Sequence, residues 1–294
     1  MTQKSNNNFS VLPFYTDIEE TCSRRSYAYG DVYPLYTRLR IVPPFQIIRP
    51  TRSNQVTVAK LRTKEGVMVT DILEFLVRGG LTVCRYEDDE YDVIVSPSNY
   101  AIALSSLTIG QYYIELSDGV QTWYSDVFTM VNDTQPYVSI EWWDLEDLVL
   151  QDSRIVYQTV RYRNRLYLCT ELGKPEYTFT EEGEDRDGMY FPEKQISEKT
   201  YKFTFLASEY LCDVMRLIRL SDLVRVYDRY GNRYVCDRFL MTPKWQEQGN
   251  LASVEVEFQT DTIVKKIAHG QMNGDYNNDY DNSFDNIDWN HINF

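Results

Sequence analysis

Residues 199–239, KTYKFTFLASEYLCDVMRLIRLSDLVRVYDRYGNRYVCDRF, decide the fold predicted for the second half of the chain. Three rings, Tyr201, Phe203 and Phe205, alternate with polar residues, which predicts a strand with one buried face. Ser208 follows at the position expected of a helix N-cap. The next apolar residues have helical spacing: Tyr210, Leu211, Val214, Leu217 and Ile218. The stretch therefore predicts a strand and then a helix whose apolar side rests on neighbouring strands.

The remainder of this stretch and the residues beyond it predict three further strands. LVRVYDRYGNRYVCDRF, residues 223–239, predicts a hairpin that turns at residues 230–232. LASVEVEFQT, residues 251–260, has the most regular alternation in the chain, with one face formed by Ala252, Val254, Val256 and Phe258. The order strand, helix, strand, strand, strand predicts an α+β sheet that a single helix covers on one side.

Residues 32–133 contain short strand-like stretches separated by Gly, Pro, Asn and Asp. These stretches are FQIIRP (45–50), QVTVAKL (55–61), GLTVCRY (80–86), YDVIVS (91–96), GQYYIELSDG (110–119) and TWYSDVFTMV (122–131). Residues 117–119 predict a tight turn, because Gly119 adopts a positive φ without steric cost. VTDILEFLVRGG (69–80) fits either a strand or a short helix ended by Gly79. The number and spacing of the stretches predict an Ig-like or fibronectin-like β-sandwich.

The other segments are too polar or too irregular to form a core. Residues 173–198 hold eight acidic and three basic residues, which predicts a long projecting loop or an extended hairpin. Residues 271–294 hold five Asp and seven Asn and are not expected to fold alone. The chain therefore divides into four predicted parts: a flexible arm at 1–31, the sandwich at 32–133, the α+β domain at 134–270 and a flexible acidic arm at 271–294.

The composition narrows the class of protein. A formal charge of −14 argues against a free-standing nucleic-acid binder, which usually carries the opposite charge. The N-terminus lacks the apolar core of a signal peptide, and no apolar run approaches the roughly 20 residues needed to span a bilayer. The five cysteines are odd in number and have no C-x-x-C spacing, which predicts reduced thiols: Cys22, Cys84, Cys169, Cys212 and Cys236. We therefore expect a soluble protein made in the cytoplasm.

Few residues in the chain have the chemistry of a catalytic site. The two histidines, His269 and His291, lie beyond the last predicted strand, so a histidine-based site is not expected. IEWWDLEDL (140–148) contains two tryptophans and four carboxylates: Trp142, Trp143, Glu141, Asp144, Glu146 and Asp147. Carboxylate pairs serve glycosidases, and a tryptophan platform binds sugar. The preferred interpretation is that the tryptophans anchor a domain junction while the acids stay in solvent, because closeness in sequence does not define a cleft.

Two acidic stretches offer the oxygen ligands that Ca²⁺ prefers. The first consists of Glu181, Glu182, Glu184, Asp185 and Asp187, and the second of Asp275, Asn277 and Asp279. The second copies the first three ligand positions of an EF-hand loop, but Tyr280 replaces its glycine and Asn286 its bidentate glutamate. Solvated charge is the preferred interpretation of both stretches. No catalytic, cofactor-binding or metal-binding residue is assigned.

RYRNRLY (161–167) interleaves arginine with tyrosine. This pattern is suited to contact with nucleic acid. In so acidic a chain, the preferred interpretation is pairing with the acidic loops of another subunit.

Stretches of both halves resemble tail proteins of phages and prophages of Bacteroides-type hosts. In the second half these are IEWWDLEDL, ELGKPEYTF, FPEKQISEKTYKFTFLASEYLCDVMRLIRLSD, YGNRYVCDRFLMTPKWQ and LASVEVEFQTDTIVKKI. In the first half they are AYGDVYPLYTRLRIVPPFQIIRP and IELSDGVQTWYSDVF. The resemblance covers nearly all of residues 27–268 and leaves out the acidic arm. The order of elements also resembles the tube fold of tail-tube and distal-tail proteins, and crAss-like phages, with short tails of stacked rings, fit this resemblance.

The resemblance implies a structural protein of the virion tail, without enzymatic activity or cofactor, that is made in the cytoplasm of the bacterial host. It implies a ring of subunits whose sheets join side by side around a DNA-wide channel, with the sandwich outside. The expected partners are copies of the chain (a hexamer first, a dodecamer second), adjacent tail or baseplate proteins and passing DNA without sequence-specific binding, but no membrane. The alternatives are a carbohydrate- or receptor-binding module of a tail and a carboxylate-based polysaccharide depolymerase.

Overall fold

The computed structural model describes residues 10–16, 35–50, 54–73, 81–86, 89–96, 100–102, 107–132, 137–150, 154–156, 162–245 and 251–266. These residues are mostly β, as predicted, and include one whole α-helix. The predicted boundaries at 31/32, 133/134 and 270/271 lie outside the described residues, so the division into four parts stays a prediction. Residues 74–80, both histidines and the acidic arm also lie outside them.

The first half of the chain forms short strands. They are β1 Phe14–Tyr15, β2 Leu35–Arg38, β3 Ile41–Val42, β4 Phe45–Pro50, β5 Val58–Thr63, β6 Met68–Asp71, β7 Leu81–Tyr86, β8 Asp89–Ser96, β9 Tyr100–Ala101, β10 Gly110–Ser117, β11 Thr122–Ser125 and β12 Phe128–Val131. Each of the six predicted stretches contains a strand. TWYSDVFTMV contains two, because the chain leaves the strand conformation between β11 and β12.

The second half contains the longest strands and the helix. Its elements are β13 Val138–Trp143, β14 Leu148–Leu150, β15 Arg154–Val156, β16 Asn164–Leu168, β17 Glu176–Arg186, β18 Met189–Ser208, α1 Glu209–Met215, a 3₁₀ segment Arg216–Leu220, β19 Leu223–Tyr227, β20 Arg233–Val235, β21 Arg238–Trp245 and β22 Leu251–Lys266. The predicted N-cap is confirmed, since the backbone N–H of Leu211 donates to Ser208 Oγ at 3.4 Å.

One sheet of eleven strands contains elements from both halves of the chain. Its main order is β1-β11-β10-β12-β2-β16-β13-β19-β20, and β5 and β6 attach to it through β10. Strand β2 runs parallel to β12 and pairs with β16, where Tyr36 stands opposite Tyr167. This four-residue strand therefore joins the strands of the first half to those of the second.

Three sheets contribute side chains to the core of the first half, the smallest of them β3-β9 through Val42. Buried residues of this core include Phe14, Leu61, Ile114 and Phe128 from the large sheet, and Phe45 and Ile94 from the sheet β4-β8-β7. The predicted turn between β10 and β11 is confirmed. Gly119 has φ 87°, and Asp118 Oδ1 accepts hydrogen bonds from the backbone N–H groups of Val120 at 3.0 Å and Gln121 at 2.8 Å.

A buried ion pair connects this turn to β4. Arg49 Nη1 lies 3.0 Å from Asp118 Oδ2, and the two side chains are 3% and 8% exposed. The same nitrogen donates to the carbonyl oxygen of Asn54 at 2.9 Å. Arg49 Nε and Nη2 are buried and have no hydrogen-bond partner within the described residues. Asp118 therefore supplies the carboxylate in direct contact with a deeply buried guanidinium.

Helix α1 packs into the core of the second half. Val214 and Ile218 are fully buried, as the helical spacing predicts, and Tyr210 and Leu211 are partly buried. Strands of two sheets meet the helix in this core, including Ile140 from β13. The predicted alternation of β22 is also confirmed, because four of its side chains are completely buried in this core: Ala252, Val254, Val256 and Phe258.

The prediction that these strands share one sheet under the helix is wrong. Strands β18, β22 and β21 form a four-stranded sheet with β17, in the order β17-β18-β22-β21. Strands β19 and β20 instead join the large sheet, where β19 pairs antiparallel with β13. The alternation of apolar residues identifies the buried face of a strand, but it does not identify the strand that lies beside it.

The four-stranded sheet alternates in direction. Strands β21 and β22 are antiparallel. Ion pairs join Lys199 to Asp261 at 3.6 Å and Lys202 to Glu257 at 3.7 Å, so later residues of β18 meet earlier residues of β22. Strands β17 and β18 follow one another around a two-residue turn. Neighbouring strands therefore run antiparallel throughout this sheet.

The chain divides into two compact units. The first comprises residues 1–178 and 197–262, and the second comprises residues 179–196 and 263–294. Within the described residues, the first unit contains both cores, and the second contains the middle of the β17–β18 hairpin and the end of β22. No helix in the described part of the chain is long and apolar enough to cross a bilayer.

Candidate functional site

Residues 173–198 form an extended hairpin from β17 and the first part of β18. Its turn is Asp187–Gly188, with φ values of 53° and 79°, as in a type I′ turn, for which Asp-Gly is a favoured pair. A Cβ atom on Gly183 would collide with the carbonyl oxygen of Phe191, so the strands approach here only because glycine lacks one. Residues 176–185 and 187–190 are all exposed. We call residues 176–198 the acidic hairpin.

The acidic hairpin exposes large apolar side chains. Tyr177 and Phe179 alternate on one face of β17 and are 70% and 65% exposed. Met189 and Tyr190, beside the turn, are also exposed. Single exposed apolar residues are common, but several on one hairpin are typical of a surface that binds another protein. This apolar group marks the hairpin as a candidate contact surface.

Several acidic side chains of the hairpin have local partners, among them Glu176, whose Oε2 lies 2.9 Å from Lys202 Nζ. Lys194 Nζ lies 3.4 Å from Glu182 Oε2, and Gln195 Nε2 donates to Glu181 Oε1 at 2.7 Å. Desolvation and nearby carboxylates, among them Glu181, raise the pKa of Tyr190. In the described part of the chain, no group of three or more His, Cys, Asp or Glu side chains is placed to hold a metal ion. Residues 275–279 lie outside it.

Arginine side chains stack on aromatic rings on one side of the large sheet. Trp143 of β13 lies between two guanidinium groups, with Arg163 Cζ 4.4 Å and Arg225 Cζ 4.5 Å from its ring. Arg165 Cζ lies 4.8 Å from the ring of Tyr227. Cation–π stacking of this kind holds a guanidinium flat while its N–H edge stays available for hydrogen bonding.

The carboxylate of Glu141 lies among these arginines. Glu141 stands opposite Arg165 of β16 and Arg225 of β19 in the strand registers, and it accepts a hydrogen bond from Tyr227 Oη at 3.0 Å. Arg233 of β20 stands opposite Tyr227, on the same side of the sheet, and is exposed. We call this group the cationic surface: Arg163, Arg165, Arg225, Arg233, Trp143 and Glu141. Four arginines and one glutamate give it a net positive charge within an acidic chain.

The two tryptophans of IEWWDLEDL do not form a common platform. Trp142 is 1% exposed and packs in the core beside α1, whereas Trp143 stacks with arginines on the other side of the sheet. Consecutive residues of a strand point to opposite faces, so a strand at VSIEWW places the two tryptophan rings on opposite sides of the sheet. Neither ring is placed to serve as an open sugar platform.

The carboxylates of the same stretch make separate local contacts. Glu141 is 3% exposed and faces the cationic surface. Asp144 Oδ1 accepts from the backbone N–H of Asp222 at 2.9 Å, and Asp222 Oδ2 accepts from the backbone N–H of Leu145 at 3.0 Å. Glu146 is exposed. Glu141 and Asp144 thus hold elements of the fold together, which differs from the prediction that the acids stay in solvent.

Burial of Asp144 makes a testable contribution to stability. Burial raises the pKa of Asp144, with nearby Asp222 adding to the shift and the backbone hydrogen bond opposing it. The folded state therefore binds the Asp144 proton more tightly than the unfolded state, and this contribution to stability falls as pH rises from the ordinary aspartate pKa through the raised one. We expect Asp144→Asn, which keeps an oxygen acceptor, to gain free energy of unfolding relative to the wild type as pH increases from 4 to 7. Urea titrations at each pH, with exposed Glu146→Gln as control, measure this; a constant difference between the two proteins would contradict it.

Two of the cysteines whose side chains the structure describes, Cys212 and Cys236, lack the features of a nucleophile. Cys169, Cys212 and Cys236 are free thiols. Burial raises the pKa of Cys212 to about 11 and the pKa of Cys236 to about 12. Both thiols are therefore protonated at neutral pH, and the thiolate is the reactive form.

Comparison of the chain with family models, curated proteins and solved structures finds no match. The function is therefore inferred from the two surfaces, the acidic hairpin and the cationic surface, and from the open borders of the four-stranded sheet.

Proposed function

We propose that the chain is a structural component of a phage virion tail, which forms a ring around the DNA channel and docks to adjacent tail or baseplate layers. The proposal rests on the sequence resemblance to phage tail proteins and on one structural observation. That observation is the four-stranded sheet, whose outer strands β17 and β21 each pair with a single strand within the described residues. Unpaired strand borders attract further strands and need a partner or protection.

The strand directions permit such a sheet to continue from one subunit to the next. Because the four strands alternate in direction, β21 of one copy placed beside β17 of another would continue the antiparallel order. The same contact repeated by rotation closes a ring, since a head-to-tail contact closes when the rotation returns to the start. We propose a hexamer first and a dodecamer second.

The first half fits a supporting role in this proposal. Its core receives side chains from the large sheet and the sheet β4-β8-β7, with Val42 added from the short sheet β3-β9, and we place it as an Ig-like sandwich outside the ring. The tube-like assignment of the second half rests on the long strands β18 and β22 with helix α1 packed in the same core. The acidic arm at 271–294 is proposed to contact an adjacent tail layer.

The proposal predicts an assembled particle. Mass photometry and negative-stain images of the purified full chain should show rings of six or twelve copies. Mass spectrometry should find the chain in phage particles released by the host. A protein that stays monomeric at every concentration tested and is absent from those particles would overturn the proposal.

The exposed rings of the acidic hairpin predict a specific loss of assembly. We expect Tyr177→Ser with Phe179→Ser to raise the dissociation constant of self-association about tenfold or more, because aromatic anchors dominate interface energies. The thermal stability of the monomer should change little, since both rings are exposed. The matched control is Val120→Ser with Leu145→Ser, which removes two side chains that are 83% and 71% exposed. Equal dissociation constants for the two variants, measured by sedimentation velocity, would mean that the hairpin is not part of the interface.

A further inference from the structure

Among the six residues that define the cationic surface, four arginines outnumber one glutamate. Around the carboxylate of Glu141 lie Arg165 on β16, Arg225 on β19, Arg233 on β20 and Arg163, which immediately precedes β16. The whole chain carries a charge of −14. A local surplus of opposite sign in such a chain favours an acidic partner through charge complementarity.

The arginines of this surface are arranged in advance of binding. Stacking of Arg163 and Arg225 on opposite sides of Trp143 restricts their rotamers. Both are half-buried, and Arg233 at the border strand β20 is exposed. A guanidinium presents several N–H donors in a fixed plane, which suits the two oxygens of a carboxylate. Less side-chain entropy is then lost when a partner binds.

We propose that the cationic surface binds the acidic hairpin of a second copy of this chain. This inference deepens the proposed function, because it names the two surfaces that meet between neighbouring subunits. The hairpin supplies six of its acidic residues on β17 and the turn: Glu176, Glu181, Glu182, Glu184, Asp185 and Asp187. All six residues are exposed.

Charge and shape favour the hairpin over nucleic acid as the occupant. A phosphate backbone approaching this chain meets an overall negative field, which opposes association. The acidic hairpin is produced together with the cationic surface in every copy, and its type I′ turn holds the two strands in register. Its aromatic residues Tyr177 and Phe179 add the apolar contact that charge pairs alone lack.

Charge exchange tests the pairing. The first variant is Arg163→Glu with Arg233→Glu, and the second is Glu184→Lys with Asp185→Lys, both in the full chain. We expect each variant alone to weaken self-association at least tenfold by sedimentation velocity, and an equimolar mixture of the two to recover hetero-association. Association of the wild type should weaken as NaCl rises, because exposed charges are screened. Far-UV circular dichroism and thermal melts confirm that each variant is folded.

Two controls identify the source of any effect. Arg216→Glu with Arg219→Glu makes the same change of charge at exposed sites next to α1 and should leave association unchanged. If Arg163→Glu destabilises the fold, Arg233→Glu alone still tests the same surface, because Arg233 is exposed. The third measurement is binding of a fluorescent duplex DNA oligonucleotide by the wild type and by the arginine variant.

The possible outcomes separate this inference from the proposed function. If the wild type forms rings and both charge variants form them equally well, the pairing is wrong while the ring stands. If the wild type binds the DNA duplex and Arg163→Glu with Arg233→Glu abolishes that binding, the cationic surface binds nucleic acid and the proposed pairing with the hairpin is wrong. A wild type that never self-associates overturns both. Weakened single variants with recovery in the mixture support the pairing.

Discussion

Replacing Val214 by aspartate is expected to destabilise the second half of the chain strongly. Val214 is 0% exposed in the core where α1 meets strands of both sheets. An ionised carboxylate at this position would have no partner within the apolar cluster. Burying such a charge, or keeping it protonated at neutral pH, costs about 4 kcal/mol or more. This cost is a large fraction of the 5–15 kcal/mol roughly available to a folded domain.

The matched control uses the same chemistry at an exposed site. Leu220, at the end of the 3₁₀ segment that follows α1, is 63% exposed. We expect Leu220→Asp to change the free energy of unfolding by less than about 1 kcal/mol. Urea denaturation followed by near-UV circular dichroism compares the two variants. A similar stability for Val214→Asp and Leu220→Asp would mean that α1 does not pack in the core as described.

The second large effect is expected at the ion pair between Arg49 and Asp118. Asp118→Ala removes the carboxylate that contacts a buried guanidinium and also the acceptor of two backbone hydrogen bonds in the turn. Leaving a buried charge without its partner typically costs about 3–5 kcal/mol. We expect a loss of free energy of unfolding at the lower end of this range, because Arg49 keeps the hydrogen bond to the Asn54 carbonyl oxygen and the charge attraction of Asp92.

Two further variants separate charge from turn geometry. Asp118→Asn keeps a side-chain oxygen for the turn and removes the charge, so it should lose less stability than Asp118→Ala. Arg49→Met with Asp118→Asn should lose less than the sum of the two single changes, because the interaction between these two side chains can be lost only once. For comparison, Lys244→Ala breaks an exposed pair with Glu255 at 2.7 Å and should cost less than about 1 kcal/mol. Strict additivity at positions 49 and 118 would mean that the two side chains do not interact.

Local patterns in the sequence predicted the local elements well. Ser208 caps α1, the turn at Gly119 joins β10 to β11, and the alternation in residues 251–260 identifies the buried face of β22. Each of these features depends on neighbouring residues: a hydroxyl three residues before a backbone N–H, a residue with positive φ, and the period of two of a strand. An extended hairpin was one of the two structures predicted for residues 173–198, and the Asp187–Gly188 turn is a strong signal for it.

The pairing of strands that are distant in the sequence could not be predicted from the sequence. LVRVY forms β19, and its residues do not indicate whether it pairs with β13 or with a strand of the four-stranded sheet. Both pairings would bury the same valines. The cationic surface was predicted only in part for the same reason. RYRNRLY pointed to Arg163 and Arg165, but Arg225 and Arg233 join them only through the register of β13, β19 and β20. Arginine recurs every fourth residue in RVYDRYGNR, at positions 225, 229 and 233, but this spacing did not name the partner strand.

Strand β2 has a consequence for how the protein is made on the ribosome. Its four residues leave the exit tunnel before both of their neighbours, of which β12 ends at residue 131 and β16 only at residue 168. A nascent chain therefore carries one side of β2 uncovered during a long interval of translation. Such delayed, long-range pairing slows folding and leaves a strand open to wrong neighbours, particularly on polysomes where sibling chains are close. Translation pauses placed after residue 168 would favour correct closure, whereas pauses before it would prolong that exposure.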